Sequence, residues 1–78
     1  MKKDNIEKVI KNWFKVKKKK FFINKNLFKI GVIDSFEVID FILFLEKEFK
    51  IKFKSSELQN PNFMIIRNLI SLIKKKNV

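Results

Sequence analysis

Apolar residues recur at Ile6, Val9, Ile10, Trp13 and Phe14, with polar residues between them. The i, i+3, i+4, i+7, i+8 spacing lays one apolar stripe along a helix. It predicts a first helix over about residues 4–16, with Asp4 or Asn5 as its N-cap. The lysines at 17–20 end the pattern, where positive charge suits the negative end of the helix dipole. Residues 17–33 carry no clear period. Lys and Asn alternate there with Phe21, Phe22, Ile23, Leu27, Phe28 and Ile30, which predicts a long loop pinned to the core by these side chains. Loops of that length are uncommon in compact domains and tend to be functional. Gly31, the only glycine, stands just before the next helix, where a turn with positive φ would need it.

Asp34-Ser35-Phe36-Glu37 reads as a helix start, with Asp34 as N-cap and Glu37 reaching back from N3 to complete a capping box. Apolar residues follow at Phe36, Val38, Ile39, Phe41, Ile42, Leu43, Phe44, Leu45 and Phe49. They occupy more than one face, so this second helix is expected to be central and to end near Phe49 or Lys50. Ile51-Lys52-Phe53 alternates like a strand but has no partner strand, and is expected to be an extended connector that tucks Ile51 and Phe53 inward. Ser55-Ser56-Glu57-Leu58 predicts a short capped turn of helix, interrupted by Pro61. A last helix is expected from Asn62 or Phe63, with the stripe Phe63, Ile66, Leu69, Ile70 and Ile73 and a lysine run at 74–76. The expectation is an all-α fold in one domain over residues 1–78, three main helices plus one short helix between the second and third. Such a bundle specifies no function by itself.

Composition narrows the chemistry. The 78 residues allow one small core and leave little room for a deep pocket. There is no Cys, His or Tyr, which removes disulfides, thiolate nucleophiles, the commonest general base and the commonest metal ligands. No catalytic set and no metal site are expected, and an enzyme is the least expected class. Asp4 and Glu7 precede any apolar run, unlike a secretory signal, and the longest apolar stretch, residues 41–45, is too short to span a bilayer. The chain is therefore expected to be cytoplasmic and monomeric, without stable membrane insertion.

The net charge is +11, with 18 Lys against the single Arg67. Lys, Ile, Asn and Phe make up 48 of the 78 residues, and their codons are rich in A and T. Drift toward such codons explains the lysines more simply than nucleic-acid reading, which favours Arg. The acids are not scattered. Asp34, Glu37, Asp40, Glu46 and Glu48 give residues 34–48 a charge of −4 against Lys47, leaving +15 for the rest. Helix capping accounts for the first turn only, so the second helix is expected to be a docking face for basic partners.

The stretch Gly31-Val32-Ile33-Asp34-Ser35-Phe36, followed by the acid-rich helix that ends in Leu45-Glu46-Lys47-Glu48-Phe49, resembles acyl carrier proteins. That family opens its second helix with an Asp-Ser-Leu-like triplet and closes it with a Leu-Glu-Glu-Glu-Phe-like run. Asn62-Phe63-Met64-Ile65-Ile66 resembles the start of its last helix, so the likeness covers nearly the whole chain. Phe36 stands for the usual leucine, and the family is normally acidic overall. The resemblance implies a four-helix acyl-carrier-like bundle that acts as a stand-alone carrier, with 4′-phosphopantetheine attached to Ser35 and Asp34 flanking the site. It implies docking through Phe36, Glu37, Asp40, Glu46 and Glu48. The implied partners are a phosphopantetheinyl transferase and enzymes that load and transfer acyl or aminoacyl groups, in fatty acid synthesis or a specialised pathway. The piece from Ile30 to Ile33 looks more like carriers of specialised pathways. A competing reading is a small basic nucleic-acid-binding helical protein, although the acidic central helix would repel phosphates and no specific nucleic acid is expected. A third is association with anionic membranes through the lysine clusters.

Overall fold

The computed structural model describes residues 3–76. They form the helices α1 (Lys3–Val16), α2 (Ser35–Phe49), α3 (Ser55–Leu58) and α4 (Ile66–Lys76), and no strand occurs among the described residues. The fold is all-α, with the short helix between the second and third long ones as the periodicity predicts.

Helix α1 already runs from Lys3, so Asp4 and Asn5 lie in its first turn and do not cap it; the capping position falls outside the described residues. Its stripe of Ile6, Ile10, Trp13 and Phe14 is buried, with Val9 packed at the edge. The helix stops in a Schellman arrangement. The Lys19 amide donates to the Phe14 carbonyl at 2.8 Å and the Lys18 amide to Lys15 at 3.1 Å. Lys18 takes the left-handed conformation there, with φ 57°. Helix α2 ends in a similar way, with Lys50 at φ 54° and the Ile51 amide donating to Glu46 at 3.1 Å.

Helix α2 buries Phe41, Leu45 and Phe49 and half-buries Val38, Ile42 and Phe44. Its opposite side is open, with Phe36 85%, Ile39 61% and Leu43 58% exposed. This corrects the expectation of a central helix. Its apolar residues cover two faces, but only one is packed. Trp13 lies 4.8 Å from Phe41, and Phe14 meets Phe41 and Phe21 edge-on at 5.6 and 5.5 Å (ring centroids), so an aromatic layer joins α1, α2 and the long loop. Helix α4 packs on α1 and brings in Ile66, Leu69, Ile70 and Ile73. No polar or charged side chain is buried among the described residues.

The last helix starts at Ile66, later than the expected Asn62 or Phe63. The long loop intervenes. The Leu27 amide donates to the Met64 carbonyl at 3.2 Å, the Arg67 amide to Ile23 at 3.0 Å, and Asn26 and Ile65 form an isolated antiparallel bridge. Residues 61–64 are thereby held as turns, and Phe63 is buried from a turn, its ring 5.1 Å from Phe53. Ile51 and Phe53 are tucked inward as expected. In the long loop Leu27 and Ile33 are fully buried and Phe21, Phe22 and Ile23 lean on the core, but Phe28 and Ile30 face outward, against expectation. Gly31 adopts φ 79°, the conformation expected of it.

Candidate functional site

Ser35 is the first residue of α2 and is exposed. The capping groups on either side of it are already hydrogen-bonded. The Asp34 carboxylate accepts the amides of Phe36 at 3.0 Å and Glu37 at 2.8 Å, and the Asp34 carbonyl accepts Val38 at 2.9 Å. Glu37 returns the bond, its Oε1 accepting the Asp34 amide at 3.2 Å, so the capping box read from the sequence is present. The other Glu37 oxygen pairs with Lys19, whose Nζ also donates to the Val32 carbonyl at 3.0 Å. The end of α1, the end of the loop and the first turn of α2 therefore meet on one lysine. The Ser35 hydroxyl makes no hydrogen bond among the described residues.

This geometry sets limits on the chemistry. The neighbouring carboxylates are committed to backbone amides and to Lys19, and the chain has no His, so no general base within the described residues activates Ser35. A phosphodiester on its oxygen would sit at the positive end of the α2 dipole, in water. The amides of Phe36 and Glu37 are taken by Asp34, so the dipole and not those donors would favour the anion. Ser35 thus presents an exposed hydroxyl with no free base beside it among the described residues.

The five residues expected to dock a partner, Phe36 and four acids, divide. Phe36 and Asp40 face outward, Asp40 with Lys17 at 3.4 Å. Glu48 is exposed on the α1 side, where it borders a shallow groove of about 440 Å³ floored by Val9, Trp13 and Phe44. Glu37 and Glu46 serve the fold. Glu46 is only 15% exposed at its side chain and accepts the Phe53 amide at 2.9 Å, which fastens the connector to α2. Ile39 and Leu43 complete the outward row with Phe36. Their i, i+3, i+7 spacing, opposite Phe41, Leu45 and Phe49, was the signal that could have found them.

Two further residues position the site without having been singled out from the sequence. Lys19 is one. Asn26 is the other; its Nδ2 donates to the Pro61 carbonyl at 2.9 Å and its Oδ1 accepts the amides of Phe28 and Lys29. An Asn that bonds the backbone two and three residues on is a known turn former, so its local half was readable. Nothing local marks Lys19.

Fold and site together define a small all-α domain that presents an unengaged serine at the head of a helix whose outer face is apolar and acidic. The chain matches no known protein-family model, no curated protein and no solved structure.

Proposed function

We propose that this protein is a stand-alone carrier that holds acyl or aminoacyl groups as thioesters on a 4′-phosphopantetheine arm at Ser35 and offers them to partner enzymes. One observation carries the reading. A serine hydroxyl with no hydrogen-bond partner among the described residues stands at the first turn of a helix whose capping groups, Asp34 and Glu37, are held by backbone amides and Lys19. A carrier needs such a hydroxyl accessible and needs nothing more of it, because a transferase supplies the activation. The arm would supply the thiol that the chain lacks, having no Cys. The open row of Phe36, Ile39 and Leu43, with Asp40 beside it, supports docking of a partner whose contact face is apolar with basic groups at its rim. On this reading the four helices form an acyl-carrier-like bundle, and the protein performs no catalysis itself.

The test is intact mass before and after incubation with coenzyme A and a broad-specificity phosphopantetheinyl transferase. Wild type is expected to gain one phosphopantetheinyl group, and Ser35→Ala none. No gain on folded wild-type protein would leave Ser35 as a capping neighbour only, and the nucleic-acid reading would take precedence.

A further inference from the structure

Residues 26–33 form a densely hydrogen-bonded surface turn. Leu27 and Ile33 are its buried feet, and the Leu27 carbonyl accepts the amides of Val32 at 3.0 Å and Ile33 at 3.2 Å. Asn26 accepts the amides of Phe28 and Lys29 through its side chain and that of Ile30 through its carbonyl, and Gly31 donates to Phe28. Every amide from Phe28 to Ile33 is therefore bonded inside the turn. Its tip nevertheless carries two large apolar side chains into water, Phe28 at 49% and Ile30 at 47% exposure, on either side of Lys29. Apolar residues in a fully bonded turn are held out by the backbone and do not dangle from it.

The chain leading into and through the turn carries charge of one sign. Residues 8–33 contain nine lysines and no acid. Of these, Lys17 and Lys19 are paired with Asp40 and Glu37, and the others have no carboxylate partner among the described residues. Lys25 lies against the Phe22 ring, with its Nζ 5.1 Å from the centroid. The nearest acids in sequence, Asp34 and Glu37, are engaged by the α2 amides and by Lys19, which blunts their repulsion of an approaching anion.

We propose that this turn docks on an anionic bilayer surface, with Phe28 and Ile30 entering the headgroup region and Lys25 and Lys29 meeting the negative charge. A polyphosphate backbone would use the lysines but gain nothing from a protruding Phe and Ile. A bilayer interface uses both, through apolar burial and attraction to acidic lipids. The turn is ordered before contact, so binding need not freeze it. A single short turn gives reversible attachment, not insertion. The inference is independent of whether Ser35 is modified.

The test is co-sedimentation of the full chain with vesicles of phosphatidylcholine alone and with phosphatidylglycerol added. Binding is expected only to the anionic vesicles, falling about fivefold for each of Lys25→Gln and Lys29→Gln and further with salt. Phe28→Ser with Ile30→Ser leaves the charge unchanged and is expected to weaken binding about tenfold or more. Circular dichroism on the same samples checks the fold, and Ile30→Thr alone replaces the pair if the pair is unstable. No vesicle binding, equal binding to neutral vesicles, or binding untouched by the serine pair would each overturn the proposal. So would binding to duplex DNA, insensitive to the serine pair, in the absence of vesicle binding.

Discussion

Lys18 and Lys50 each stop a helix in the left-handed region, with φ 57° and 54°. Glycine normally takes this position because it has no Cβ to clash with the carbonyl that follows. A side-chain-bearing residue there costs roughly 1–2 kcal/mol. Replacement by Gly recovers that amount but frees the unfolded chain, a loss of about 0.4–1 kcal/mol. The net expectation is a gain of about 0.5–1 kcal/mol for Lys18→Gly and for Lys50→Gly alike. In a domain of this size each gain raises the melting temperature by about 2–8 °C. Neither lysine makes an ion pair among the described residues, so no contact is sacrificed, and the two sites on different helices should add. Both changes also lower the net charge, from +11 to +9 when combined (11 − 2). Lys18→Ala and Lys50→Ala are therefore the controls, since they remove the same charge and keep the strain. Thermal melts of all four single variants, by circular dichroism at fixed salt, decide the matter. Gly variants that melt no higher than wild type would refute the reasoning. So would Ala variants that rise as far as their Gly counterparts, because the gain would then come from relief of charge repulsion.

Two other outcomes follow from the same geometry. Asp34→Ala removes the acceptor for two α2 amides and is expected to cost about 1–2 kcal/mol in a denaturant titration, whereas Ser35→Ala should stay within about 0.5 kcal/mol. Glu57 has its carboxyl held below its ordinary value of 4.5, first by the Lys54 amide that it accepts and then by the Lys76 ammonium 2.9 Å away. Its folded pKa is depressed, so its contribution is fully present above pH 4.5 and is lost as pH falls through the lower folded value. The stability difference between wild type and Glu57→Gln should accordingly be constant above that pH and shrink below it; a difference that grows on acidification would contradict the assignment.

The parts of the fold that were legible in the sequence are those encoded within a few neighbours. The capping box at Asp34 needs four consecutive residues, and it is where it was expected. The stripe of α1 needs one period repeated, and all but one of its residues are buried. The start of α4 was not legible because partners far away in sequence set it; Asn26 reaches the Pro61 carbonyl across 35 positions, and Leu27 reaches Met64. Periodicity also reports which faces of a helix are apolar without reporting how many will be covered. Among the described residues nothing covers the outer side of α2, so Phe36, Ile39 and Leu43 stay outside. At the candidate site the position of Ser35 at the head of α2 and the cap by Asp34 were readable. The return bond of Glu37 was readable with the capping box, but its pairing with Lys19 and the hold of Glu46 on the Phe53 amide were not, because a carboxylate in a helix looks the same whether it faces solvent or a distant partner.

The absence of buried polar side chains among the described residues has an evolutionary consequence. An interior held by volume alone accepts exchanges among Ile, Leu and Phe so long as the filling is kept. The surface answers to different demands, and among the described residues it is tied to the interior at few points, such as Glu46 on the Phe53 amide and Lys19 on the Val32 carbonyl. Mutational pressure can therefore replace the exterior with lysine almost residue by residue while the packing stays indifferent. Of the acids that persist on α2, Asp34, Glu37 and Glu46 are held by the fold itself, which leaves Asp40 and Glu48 as the positions where something else resists the drift.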